Sequence, residues 1–304
     1  MTSTHPAYEP PQSSNPERRG VKKGLYLIPS AFTAANIGMG FYAIMSALRG
    51  FQFVGTGVEA DLLRAAVYLD YSALAIGAAV VFDMLDGRIA RLTKTTTEIG
   101  IQLDSIADVV TFGLAPAVLA YVWGYGASLE EGSGLHRLGW FLSFMYLMCG
   151  AFRLARFNVQ SSRPRVLAEG TVKLDKKSFV GLPIPVAGGL IAAIIHFTPK
   201  PLVYYGPERA QVYAILLMVL VGLLSVLMVS TLRFSSFKEV GTRSRSMRTI
   251  ILAVAFFMLI ILYSRHVLLG LATTYILYGL LSRAVGIFRR RTDASESTIE
   301  AKQT

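Results

Sequence analysis

The sequence predicts an all-α fold: a polytopic integral membrane helical bundle of about eight transmembrane helices. Three observations predict it. The chain of 304 residues is 53% hydrophobic and 16% charged, against about 25% charged in a soluble domain. Its mean hydropathy of +0.49 excludes both a disordered chain and an ordinary soluble globule. Eight stretches approach the roughly 20 apolar residues that a helix needs to cross a bilayer, and a helix satisfies its own backbone polar groups where hydrocarbon offers no partner. The single cysteine, Cys149, excludes an intrachain disulfide and a cysteine-based zinc site.

Taken in order, residues 1–24 form a polar N-terminal tail. Pro6, Pro10, Pro11 and Pro16 predict disorder over its first 20 residues. No basic segment runs directly into a short apolar one, so no cleavable signal peptide is expected. The spans fall near 27–48, 66–86, 99–123, 138–158, 182–199, 210–231, 249–264 and 266–288. Only Ser264, Arg265 and His266 separate the last two, which predicts a tight helical hairpin. The membrane domain is thus 25–288, followed by a polar C-terminal tail over 289–304. Tyr26, Trp123 and Trp140 near span ends fit an aromatic belt, and His196 and His266 are expected at the interface. Asp70 stands alone near the outer end of the second span and receives no role, and Cys149 is expected to pack.

The net charge is +11. In a soluble protein that excess suggests nucleic acid, but here it follows the topology. Of the 30 Lys and Arg residues, 24 fall on the side of the two tails and the 87–98, 153–181 and 232–248 loops, counting Arg283 near the end of the last span, and 6 on the opposite side. The positive-inside rule therefore places both tails in the cytoplasm and excludes a need for nucleic acid.

Ionisable residues in or beside spans are costly and mark function by default. Asp83 and Asp86 are three apart at the end of the second span, and Asp104 and Asp108 are four apart early in the third. Each pair shares one helix face. A short loop joins the two spans, so they run antiparallel and the pairs meet at similar depth. Four converging carboxylates repel unless divalent cations separate them, and all-oxygen ligands suit Mg2+ or Mn2+. The alternative is salt bridging to Arg88, Arg91 and Lys94. Gly87 and Gly100 allow a ligand close to the backbone, Ala90 keeps the face low, and the Arg91 fork suits phosphate oxygens. Thr95 and Glu98 read as a capping box opening the third span.

The order Asp83, Asp86, Gly87, Ala90, Arg91, Gly100, Asp104, Asp108 matches all eight positions of a family signature within 26 residues. The sequence resembles the CDP-alcohol phosphotransferase family over roughly residues 25–285. The segments 32–44, 103–117, 152–159, 181–185 and 227–238 are similar to its phosphatidylserine synthase branch in bacteria and archaea. The resemblance implies a membrane enzyme that transfers a phosphatidyl group from CDP-diacylglycerol to an alcohol, L-serine in that branch, with release of CMP. It implies one or two divalent ions, Mg2+ or Mn2+, on Asp83, Asp86, Asp104 and Asp108, and Asp108 as the general base. It also implies a homodimer in the cytoplasmic (inner) membrane of a prokaryote, with the active site facing the cytoplasm.

Gly87, Ala90, Arg91 and Gly100 would then hold the CDP-lipid, with Thr33 and Asn36 of the first span as further contacts. The serine carboxylate needs a cation. Arg153 and Arg156 are the candidates, with Asn158 nearby, and positive-inside anchoring is the alternative for both arginines. Lys173, Lys176 and Lys177 attract headgroups. A transporter is the rival from another class, but it would carry an internal repeat, and the Asp pattern has no second copy. An intramembrane prenyltransferase would place one acidic motif in each half. Another acceptor, such as glycerol-3-phosphate, inositol phosphate or choline, is kept open by the basic 153–181 loop.

Overall fold

The computed structural model of the chain describes residues 16–93, 98–162, 178–230, 233–235, 263–278 and 281. In chain order these are α1 (Pro16–Val54), α2 (Glu59–Thr93), α3 (Glu98–Asp108), α4 (Ala115–Ala120), α5 (Gly134–Ser162), β1 (Ser178–Val180), α6 (Ile184–Phe197), α7 (Pro207–Val229) and β2 (Arg233–Ser235). A further helix, α8, spans 264–278. Among the described residues, five segments are long and apolar enough to cross a membrane: Ala31–Val54, Glu59–Ile89, Ile99–Tyr125, Gly134–Gln160 and Pro207–Val229. The expected seventh span lies, up to residue 262, outside the described residues, and α8 covers the first part of the eighth. Among the described residues the fold is helical and polytopic, with one short antiparallel ribbon between β1 and β2.

α1 begins at Pro16, inside the segment expected to be disordered. Proline lacks the N–H that a first-turn residue leaves unpaired anyway, so it starts this helix without loss. α1 and α2 form the most extensive helix pair in the bundle. Their seam is built from small residues: Ala43, Ala47, Ala65 and Ala73 are buried, and a Cβ on Gly50 would sit 3.3 Å from Leu69. Small side chains let membrane helices approach, because lipid tails are as apolar as leucine and leave packing as the main attraction. Large apolar residues such as Phe41, Trp140, Phe144, Leu216 and Val226 face outward, as a lipid-facing surface requires.

The third span is the most buried of the five. It is not a regular helix: π-helical turns at Val109–Leu114 and Tyr121–Tyr125 flank α4. Pro116 in the first turn of α4 accounts for part of this, since it removes a backbone donor. Tyr146 of α5 supplies a donor in that region, its hydroxyl giving a 3.0 Å hydrogen bond to the Phe112 carbonyl. Thr111, in the same π turn, donates to the Asn36 carbonyl of α1 at 3.1 Å.

α6 has 14 residues, about 21 Å of helix, and is shorter than the expected span over 182–199. Gly181 turns the chain at φ +84° before it, and Thr198 leaves helical geometry after it at φ −131°. Most of its side chains are buried, so it is a core helix rather than a lipid-facing one. At its leading end Leu182 N–H bonds the Leu227 carbonyl of α7 at 3.0 Å. The β1–β2 ribbon closes the same corner, pairing Ser178 with Ser235 and Val180 with Arg233.

Candidate active site

The acidic residues lie on the side of the bundle that carries the α2–α3 connection. Asp83 precedes the end of α2 by ten residues and Asp108 follows the start of α3 by ten, so each lies about 15 Å along its helix from the connection. Antiparallel direction then gives them equal depth. α3 packs on α1 rather than closely against α2, and the carboxylates project across the space between. One oxygen each from Asp83, Asp104 and Asp108 lies within 4.8 Å of the others. Asp83 and Asp104 are half-buried and Asp108 is buried. If all three were ionised, each pair would repel by about 3 kcal/mol at an effective dielectric of ~20.

Asp86 lies beside this trio, close enough to act electrostatically on Asp83 and Asp104. Its buried carboxylate accepts a hydrogen bond from the Thr33 hydroxyl of α1. Thr33 therefore ties α1 to an acid of the site. Gly87 is half-buried and Gly100 exposed, both between the carboxylates and the α2–α3 connection. Ala90 and Arg91 lie in the last turns of α2, with side chains outside the described residues, as are Lys94, Thr95 and the three lysines at 173, 176 and 177.

Buried polar atoms are normally paired, and exceptions cluster where ligands bind. Four such atoms lack a partner among the described residues, and three belong here: Asn36 Oδ1, Asp108 Oδ1 and Arg153 Nε. They come from α1, α3 and α5. Arg153 is 7% exposed and faces Asp108 electrostatically, with Tyr275 of α8 as a further neighbour. A buried cation beside a carboxylate trio is available to an anionic group.

Arg156, the expected partner of Arg153, is used differently. Its guanidinium donates to the Val229 carbonyl at 3.0 Å and the Ser230 carbonyl at 3.4 Å. These are carbonyls left open at the end of α7, where a cation also meets the negative end of the helix dipole. Arg156 thus clamps α7 to α5. Asn158 donates to Ser105 Oγ at 2.8 Å and ties α5 to α3, on the turn that carries Asp104 and Asp108.

Three expectations away from the site are corrected. His196 is 5% exposed rather than interfacial, and Asp70 is its partner rather than an isolated acid, at 2.5 Å. Trp123 is buried, with Nε1 donating to the Thr198 carbonyl at 2.9 Å, and so does not belong to an aromatic belt, whereas Trp140 is exposed. Tyr146, Thr111 and Tyr275 were not legible as site neighbours: Tyr146 and Tyr275 lie outside the acidic segment, and Thr111, three residues after Asp108, carries no local signal of its partner in α1. Cys149 packs half-buried against the core.

An acidic trio suited to a divalent cation, with orphaned polar atoms around it, lies at one end of the multi-pass helical bundle of a membrane protein. Comparison with known proteins makes this specific. Residues 26–210 match the family model described as CDP-alcohol phosphatidyltransferase. The chain belongs to that family. It is 33% identical over 257 residues to a CDP-diacylglycerol–serine O-phosphatidyltransferase of Helicobacter pylori, covering 84% of this chain and 91% of the relative. Relatives with the same description are 36% identical over 166 residues in Saccharomyces cerevisiae, covering 54% of this chain and 52% of the relative, and 40% identical over 113 residues in Methanocaldococcus jannaschii, covering 37% and 44%.

Proposed function

We propose that the protein transfers the phosphatidyl group of CDP-diacylglycerol to the hydroxyl of L-serine, giving phosphatidylserine and CMP. The observation that carries this is the Asp83–Asp104–Asp108 trio, in a chain that matches relatives of that description over most of its length.

The three carboxylates fit a divalent cation, and the unpartnered Asp108 Oδ1 supports the fit. Asp83, Asp104 and Asp108 would hold Mg2+ or Mn2+, with Asp86 beside them. When bound there, the ion would supply charge neutralisation for the diphosphate and Lewis-acid polarisation. Asp108 takes the proton of the serine hydroxyl. The serine oxygen forms a bond to the β-phosphorus, and the bond from that phosphorus to the bridging oxygen breaks, so CMP leaves with the electron pair. Arg153 binds the serine carboxylate from the α5 side. Gly87, Ala90, Arg91 and Gly100 border the CDP-lipid, with Asn36 as a further contact. Thr33 acts by orienting Asp86. Burial of Asp108 keeps water away from the attacking oxygen and strengthens each electrostatic contact.

The distribution of Lys and Arg supports a cytoplasmic (inner) membrane location with both termini and the active site facing the cytoplasm. The domain boundaries proposed are 1–24, 25–288 and 289–304, and the family match beginning at residue 26 supports the first. The chain pairs as a homodimer within the membrane on this reading.

The test supplies purified protein with labelled CDP-diacylglycerol, Mg2+ or Mn2+, and L-serine, glycerol-3-phosphate, inositol phosphate or choline in turn. Serine-dependent CMP release with labelled phosphatidylserine is the expected result. CMP release indifferent to the acceptor refutes serine, and no release with any acceptor refutes the transferase reading.

A further inference from the structure

A second polar cluster lies toward the opposite side of the bundle. Asp70 Oδ1 meets His196 Nδ1 at 2.5 Å, and His196 Nε2 meets Ser264 Oγ at 2.9 Å. The three residues come from α2, α6 and α8. Asp70 precedes Asp83 by 13 residues in α2, about 20 Å of helix, so the cluster does not touch the acidic site. His196 is 5% exposed. A buried ionisable relay in a membrane bundle is expensive and calls for a role.

The relay is a tether that holds in either charge state of the histidine. With a neutral ring, Nδ1–H donates to the Asp70 carboxylate and Nε2 accepts from the Ser264 hydroxyl. With a protonated ring, Nε2–H donates to the Ser264 oxygen and the Asp70 contact persists. The same order of groups occurs in serine hydrolases, but a hydrolytic base needs access to substrate and water, and His196 is sealed.

What the tether holds is the first turn of α8. Ser264, Leu268, Ala272, Tyr275 and Ile276 turn inward, while Arg265, Gly270, Leu271, Leu277 and Tyr278 are exposed. Ser264 and Tyr275 are 11 residues apart, about three turns and ~16 Å, so they share one face. Ile276 is buried in the core, and Leu269, Ala272 and Tyr275 pack against that core, so α8 is seated along its length between its two ends. Tyr275, at the far end, is half-buried and neighbours Arg153.

We infer that the Asp70–His196–Ser264 relay is a positioning device for the acceptor side of the active site: it sets the rotation and height of α8, and through α8 the placement of Tyr275 beside Arg153. The inference rests on the proposed role of Arg153 toward the acceptor. None of the three residues is a catalytic residue, since each acts through α8.

The experiment uses the full-length protein with Ser264→Ala, Asp70→Ala and the conservative Ser264→Thr and Asp70→Asn. Ser264→Ala and Asp70→Ala should raise the KM for serine by about fivefold with little change in the KM for CDP-diacylglycerol. Amide exchange across 264–278 should become faster in both, and Ser264→Thr and Asp70→Asn should restore both readouts. Faster exchange with an unchanged serine KM makes the relay merely structural and overturns the inference. Unchanged exchange overturns the tether itself, as does covalent labelling of Ser264 by a fluorophosphonate, which would make it a nucleophile. If the unmodified protein releases CMP with an acceptor other than serine, the serine assignment fails alone, and the same KM comparison with that acceptor reads the tether.

Discussion

Tyr146 donates its hydroxyl to the carbonyl of Phe112 across the α5 interface with the third span, at 3.0 Å. Phe112 lies four residues before Pro116, so the helical N–H that would have met this carbonyl does not exist. The bond is buried, and it fixes the π turn that immediately follows Asp108. Tyr146→Phe keeps the ring and orphans the carbonyl. It should lower stability by about 1–3 kcal/mol, read as a lower thermal midpoint in detergent, with a loss of turnover larger than the loss of CDP-lipid binding. An unchanged midpoint would show that the carbonyl finds another donor.

Asp108→Asn preserves shape and removes the proposed base. Turnover should fall by about 10²–10⁴-fold, while binding of CDP-diacylglycerol, followed by a fluorescent analogue, is largely spared. Turnover at the unmodified rate would remove Asp108 from proton transfer.

Arg153 and Arg156 sit three residues apart and should behave differently. Arg153→Ala should raise the KM for serine by about tenfold or more, the scale of a lost charge-assisted hydrogen bond. Arg156→Ala should instead lower the thermal midpoint, since it opens the Val229 and Ser230 carbonyls at the end of α7. Equal serine KM values in the two variants would contradict this division.

Thr33→Val removes the hydroxyl that Asp86 accepts from while keeping the volume. The freed carboxylate joins the neighbouring acids and increases their repulsion. A bound cation relieves that repulsion, so the expected result is a metal requirement shifted to lower Mg2+ or Mn2+ concentration, measured by titrating CMP release, with a midpoint about threefold to tenfold lower. An identical titration would sink the proposed Thr33–Asp86 role.

Chelation provides the direct test of the trio. EDTA should abolish CMP release, and added Mg2+ or Mn2+ should restore it. Asp83→Ala and Asp104→Ala should each resist restoration at the concentration that rescues the unmodified protein. Full activity in excess EDTA would exclude a cation at these carboxylates.

The helical class, most span positions and the acidic motif were legible in the sequence. Hydropathy and spacing are local properties, and helix periodicity converts a spacing of three or four directly into a shared face. The pairing of Asp70 with His196 was not legible, because 126 positions separate them and neither carries a local signal. The shortness of α6 and the π turns around α4 were likewise missed. Gly181, Pro183 and Pro116 signalled them, but a proline can kink, cap or end a helix, and only its neighbours decide which.

The sequence alone determined that this chain enters a membrane as helices and carries its acids at matching depth on α2 and α3. Covalent spacing along a rigid helix suffices for that. The tertiary structure decided which acids converge: α1 approaches α2 through small residues, presents Thr33 to Asp86, and leaves Asp83, Asp104 and Asp108 as the trio. It also separated Arg153 from Arg156, since one faces Asp108 and the other meets the open carbonyls of α7. Side-chain types and spacing cannot make that distinction, because a guanidinium takes whichever acceptors packing brings within reach.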